Sequence, residues 1–162
     1  LLALPLKSYG QPLIIMSVIP FSLTGAILGH FLLGFDLSTM SFFGVIAAAG
    51  VVVNDSLVLG DYVNQLKTQG MTGPKASIQA GRSRFRAIIL TSLTTFLGLI
   101  PIMFETSLQA QMVIPMAISL SFSVLYATLI TLILVPCIYV IKDDLKQFFK
   151  FSSDKKVDLV TR

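Results

Sequence analysis

The sequence predicts an all-α integral membrane fold: a bundle of four complete transmembrane helices, preceded by the tail of a fifth. Three observations carry this. Hydrophobic residues make up 54% of the 162 residues and charged residues only 12%, roughly half the charged share of a soluble domain. Apolar runs long enough to cross a bilayer core recur at 13–33, 40–62, 87–104 and 112–141. The basic residues fall only in alternate connections: Lys7 before the first run, Lys67, Lys75, Arg82, Arg84 and Arg86 between the second and third, and Lys142, Lys146, Lys150, Lys155, Lys156 and Arg162 after the fourth, which accounts for all 12. Four crossings put these three regions on one side. The positive-inside rule makes that side the cytoplasm, with the C-terminus in it. The net charge of +4 is then a matter of orientation in the lipid bilayer and calls for no nucleic-acid partner.

Leu1–Leu6 is too short to span and reads as the end of a helix that began upstream, so the chain is expected to be a piece of a larger membrane protein. Lys7–Pro12 is a polar turn, with Pro12 suited to a first helical turn. In the first span, Pro20 is a kink candidate. Gly25 and Gly29 form a small-xxx-small pair that lets a neighbouring helix approach closely, and His30, the one histidine, lies near the end. The connection 34–39 carries an acid and no base. In the second span, Gly44, Ala47, Ala48, Val51, Asn54, Asp55, Val58 and Asp61 recur at helical spacing as a stripe expected to face other helices. Phe43, Val45, Val52, Leu57 and Leu59 take the opposite side.

The polar stretch 64–86 is predicted to break at Gly70, Gly73 and Pro74, to form a short interfacial helix ending at Gly81, and to anchor at the head groups through Arg82, Arg84 and Arg86. The third span opens with Thr91, Ser92, Thr94 and Thr95. The fourth is longer than one crossing needs and is expected to tilt or project. Together 1–144 form the membrane bundle, and 145–162 are expected to be a frayed cytoplasmic tail.

The chemistry-bearing feature is Asn54–Asp55 inside an apolar run. A carboxylate at membrane depth is costly, and such acids mark ion or proton paths. Poised between burial and a nearby base, it can load and release a proton as its surroundings change. The competing reading is simple hydration. Asp55 lies about 22 Å along the helix from Met40 at 1.5 Å per residue, off-centre toward the cytoplasmic half. Thr91, Thr94 and Thr95 are candidates to line a polar path, or else bond their own i−4 carbonyls. A lone histidine without an Asp, Glu, His or Cys cluster is more often structural than a ligand. A single cysteine, Cys137, allows no internal disulfide. No nucleophile–base pair, acid dyad, phosphate loop or metal spacing appears, so an enzyme is not expected, intramembrane hydrolase included, and no cofactor beyond protons as coupling ion.

The order GAILG at Gly25–Gly29, GVVVNDSLVL at Gly50–Leu59, RSRFRAIILTSLTTFLGLIP at Arg82–Pro101 and the long last helix ending LVPCIYV resembles the C-terminal membrane segment of resistance–nodulation–division (RND) efflux permeases, most closely the hydrophobe/amphiphile exporter branch. The resemblance covers about Leu1 to Asp144. It implies the end of span eight and spans nine to twelve of a twelve-helix transporter. It further implies proton-driven export of small amphiphilic molecules or ions from the bacterial inner membrane by a homotrimer, coupled to a periplasmic adaptor and an outer-membrane channel. In that family a relay joins paired acids on the fourth span to a lysine on the tenth and to a threonine and an arginine near the start of the eleventh. The threonine position matches Thr91 and the arginine position Arg84. The lysine position falls on Asn54, which carries no counter-charge, and Asp55 beside it adds a carboxylate, with Arg84 as its candidate partner. The paired acids are not in this chain. The alternative is a non-transporting structural or assembly segment, a truncated remnant.

Overall fold

The computed structural model describes residues 16–160, with side chains to Ile141 and at Leu145. The expected upstream helix tail, the Lys7–Pro12 turn and the start of the first span lie outside these residues. The described residues form four helices: α1 (Ile19–Leu33), α2 (Thr39–Thr68), α3 (Gly73–Met103) and α4 (Leu108–Val160). Three are long and apolar enough to cross a membrane: α2, α3 and α4 over Leu108–Ile141. α1 is apolar but shorter, 15 residues.

The helix ends have local causes. Pro20 stands in the first turn of α1 and opens it, where the missing N–H costs nothing. Gly34 ends α1 in the left-handed region (φ 71°), where a residue without Cβ is unstrained, and the Phe35 N–H donates to the His30 carbonyl at 3.1 Å. Ser38 caps α2 in a reciprocal box: its hydroxyl accepts from the Ser41 N–H while its own N–H donates to Ser41 Oγ. Gly70, at φ 90°, turns the chain between α2 and α3, and Pro74 lies in the first turn of α3.

The last helix is the hub. α4 touches α1, α2 and α3 far more extensively than those three touch one another. Short connections make consecutive helices alternate in direction, so α2 runs parallel to α4. The approach is close because residues are small. A Cβ on Gly25 would stand 2.8 Å from both the Phe122 carbonyl oxygen and Tyr126 Cβ; one on Gly44 would stand 2.7 Å from Ser119 Cβ and press on the Met116 carbonyl. Hydroxyls and aromatic rings add to this. Ser123 Oγ donates to the Ser22 carbonyl of α1 at 2.6 Å, and Phe96 of α3 meets Phe122 edge-on, centroids 5.4 Å apart.

Three expectations are corrected. The buried stripe of α2 is Ser41, Gly44, Ala48, Val52, Asp55, Ser56, Leu59, Gly60, Val63 and Leu66. Val52 and Leu59 therefore face inward, while Asn54 and Val58 are exposed; the stripe is rotated because Gly44 and Ser41 set the line of closest approach. Gly81 does not end a helix. α3 passes through it, with the Pro136 ring of α4 at ordinary contact distance, 3.8 Å, from where its Cβ would be. A helix-interior glycine costs only about 1 kcal/mol, too little to break a helix of this length. The tail expected to fray continues α4 as helix to Val160, since no Gly or Pro interrupts 137–160, while the apolar span itself ends at Ile141.

Gly44→Val is expected to force α2 off α4. Overpacking of this kind costs about 1–3 kcal/mol, to be read as a fall in the thermal unfolding midpoint of the detergent-solubilised protein, whereas Gly50→Ala, with open space at that position inside α2, does not lower it and by helix propensity raises it slightly.

Candidate functional site

Asp55 reaches the helix interface because it lies on the line Gly44–Ala48–Val52–Asp55, each residue three or four on from the last, which turns one α2 face toward the hub. It is 7% exposed, and its Oδ2 has no hydrogen-bond partner among the described residues. Two contacts fix its level. Gly44 lies against Met116 and Ser119 near one end of the α2–α4 seam, and the Lys67 ammonium sits 5.6 Å from the Tyr139 ring centroid near the other. Since α2 and α4 run parallel, Asp55 falls at the level of Thr128. There Thr128 Oγ1 and Ser92 Oγ share a hydrogen bond of 2.6 Å, both residues buried, tying α3 to α4. The carboxylate and this hydroxyl pair thus occupy one layer of an otherwise apolar core built from Val52, Leu59, Val63, Ile88, Ala127, Val135 and Tyr139.

Arg84 is half-buried and turned toward α2. Its guanidinium carbon lies 4.7 Å from the Tyr62 ring centroid, a cation–π stack, and its buried Nε has no hydrogen-bond partner among the described residues. Tyr62 is two turns beyond Asp55 on α2. Arg84 therefore stands along the helix from the carboxylate, with an aromatic face rather than a carboxylate as its neighbour. Arg82 and Arg86 are exposed, so the three arginines of the anchor do different things.

The other expected relay residues lie elsewhere. Asn54, beside Asp55 in sequence, is a third of a turn round the helix and exposed. Thr91 is exposed and its hydroxyl donates to its own helix, at the Ala87 carbonyl (2.9 Å). Thr94 and Thr95 do the same to Leu90 and Thr91. The structure therefore buries Asp55 alone of the four, brings Arg84 to α2 through Tyr62, and sets Asn54 and Thr91 on the outside at membrane depth.

The site also includes residues that sequence reasoning missed. These are the pair Ser92 and Thr128. His30, read from the sequence as structural rather than a ligand, is structural here: buried at the α1–α2 corner, it uses both ring nitrogens. A carbonyl only accepts, so Nδ1–H donates to the Ala26 carbonyl (3.0 Å) and Nε2 is left to accept from the Ser41 hydroxyl (2.9 Å). This pins the N-terminal end of the helix that carries Asp55. The signal for Thr128 was available as the row Ala117, Ser121, Val124, Thr128, Thr131, Val135 and Tyr139, all buried and spaced by three or four. Among the described residues no cluster of His, Cys, Asp or Glu is arranged to hold a metal ion.

The sequence profile of the AcrB/AcrD/AcrF family matches residues 1–143. Among solved structures, a heavy metal efflux pump is similar at 27% sequence identity with a TM-score of 0.72, over 86% of this chain. This chain spans 14% of that pump's length.

A double-mutant cycle with Ser92→Ala and Thr128→Val is expected to show a coupling of about 0.6 kcal/mol, the mean for interhelical hydrogen bonds in membranes, measured by unfolding in detergent. Thr91→Val, which removes only a bond within one helix turn, is expected to leave stability unchanged within experimental error.

Proposed function

This chain belongs to the AcrB/AcrD/AcrF family, and from that premise we propose that it is the C-terminal membrane portion of a proton-driven inner-membrane efflux transporter, with Asp55 carrying a proton in its working cycle. The family consists of membrane transporters rather than enzymes. The observation that carries the reading is the buried Asp55 carboxylate, whose Oδ2 lacks a hydrogen bond in the α2–α4 seam. A buried polar atom left without a partner is costly. A carboxylate that stays ionised there bears the full cost, and taking up a proton relieves it.

The steps follow from the packing. With Asp55 ionised, α2 is least stable pressed into the apolar seam. Neutralised, it seats against α4. α3 does not follow freely, because the Ser92–Thr128 bond ties it to α4, so α2 shifts against an α3–α4 pair, with the Arg84–Tyr62 stack as the contact that slides or breaks. The His30–Ser41 bond holds the other end of α2, which makes the motion a rotation or tilt rather than a translation. Asn54 presents an amide at membrane depth, where lipid satisfies no polar group, while Thr91 and Thr94, whose hydroxyls donate within their own helix, keep acceptor capacity. They face the remainder of the same transporter, as partners to its acids. Thr91 and Arg84 keep the relay roles that the family resemblance assigns, Asn54 replaces the lysine as a hydrogen-bonding group, and Asp55 supplies the titrating one.

In this reading the exported species is a small amphiphilic molecule or an ion, the latter in keeping with the similar heavy metal efflux pump. The whole transporter works as a homotrimer with a periplasmic adaptor and an outer-membrane channel, and its C-terminus is cytoplasmic.

Asp55→Asn in the whole transporter is expected to reduce export to the level of cells lacking the protein, with expression and membrane insertion intact, and Asp55→Glu to restore part of it. Substrate accumulation and proton uptake in proteoliposomes measure both. Full export by a well-inserted Asp55→Asn protein would identify the segment as structural.

A further inference from the structure

A second site lies on the surface of the described residues, away from Asp55. Between α3 and α4 there is a groove of about 380 Å³ lined by Gly81, Arg82, Phe85, Leu132 and Ile133. Its floor is Gly81, beside the Pro136 ring of α4. Its walls are apolar and open to the surroundings, with Phe85 54% and Ile133 69% exposed. Its lip is cationic. Arg82 and Arg86 are four residues apart, so they share a face of α3, and both are exposed. Arg84 points the other way, to Tyr62. No acidic side chain lines the groove.

We propose that this groove binds one anionic phospholipid, its phosphate on the Arg82 and Arg86 guanidinium groups and an acyl chain along Phe85, Leu132 and Ile133. Charge complementarity selects the occupant. Guanidinium groups match phosphate oxygens in two-pronged hydrogen bonds, and basic pockets between transmembrane helices hold anionic head groups. The position agrees with the chemistry. Arg82 and Arg86 flank Phe85 at the polar start of α3, and Leu132 and Ile133 stand across from them, about two turns inside the end of the apolar span Leu108–Ile141. Because α3 and α4 are antiparallel, the apolar track continues toward the membrane interior past Leu90 and Leu129, both exposed. A zwitterionic lipid fits the walls equally but lacks the net charge that the lip selects. The bound lipid would bridge α3 and α4 on the outside, as Ser92 and Thr128 do on the inside.

The test is native mass spectrometry of the purified whole transporter titrated with phosphatidylglycerol or with phosphatidylcholine of the same chains. The parent protein is expected to retain phosphatidylglycerol selectively. Arg82→Gln with Arg86→Gln should weaken its binding roughly ten- to thirtyfold, what two basic residues contribute at an anionic surface. Ile133→Trp, which fills the groove and keeps both charges, should weaken it too. Lys75→Gln, exposed on the same helix but outside the groove, should leave it unchanged. Equal retention of the two lipids by the parent, parental binding by the double variant, or an equal loss with Lys75→Gln, which would make the attraction diffuse charge, each overturns the proposal.

Discussion

Helices in a bilayer gain little from burying apolar surface against one another, because lipid chains are as apolar as leucine. What holds them is close packing and interhelical hydrogen bonding. The contact of α4 with Gly25 of α1 and Gly44 of α2 is this constraint made concrete. Each glycine lets backbone meet backbone at a distance that any side chain would prevent. Around the resulting hub are the Ser123–Ser22, Ser92–Thr128 and His30–Ser41 bonds. The first two join α4 to its neighbours, and the third fastens the corner between α1 and α2.

Asp55 inherits its environment from that packing. Gly44 brings α2 onto α4, and residues three and four further along must follow it into the seam, Asp55 among them. The carboxylate is therefore buried not by a pocket built around it but by a helix line set eleven residues earlier. The same seam supplies hydroxyls at its level, on Ser92 and Thr128, that already bond each other. Among the described residues the acid has no hydrogen-bond partner at Oδ2, while the two hydroxyls at its level bond each other. That imbalance is what a proton-loading group requires, since a carboxylate locked by two donors would have no reason to change state. Arg84, held over Tyr62 two turns away, supplies positive charge along the helix without neutralising the acid by direct contact.

Helix number and membrane character were legible in the sequence because they rest on long apolar runs and few charges, signals that survive any packing arrangement. The connection between α1 and α2 was legible too, as the break at 34–39; the roles of Gly34 and Ser38 in ending and capping the helices there came from the structure. The inward face of α2 was not. Ala47 and Ala48, and Val51 and Val52, are equally apolar neighbours, and where the solvent is lipid, polarity does not separate the inside from the outside. The line of glycine contact decides it, and that depends on α4. For the same reason Asn54 and Asp55, adjacent in sequence, part company in space. As an anchor the three arginines were alike, and only the resemblance singled out Arg84; helical geometry turns Arg84 toward α2 and leaves Arg82 and Arg86 at the surface. Gly81 misled because a single glycine costs a helix only about 1 kcal/mol, and α3 runs through it.

The account stands on Asp55 taking up a proton within an apolar seam. Carbodiimides react with carboxyl groups that are protonated in such surroundings, so the direct measurement is labelling of the whole transporter with dicyclohexylcarbodiimide, located by peptide mass spectrometry. The account predicts an adduct on Asp55 that accumulates in step with loss of export, with the exposed Asp36 and Glu105 unmodified. An Asp55 that stays unlabelled while export is blocked would contradict it.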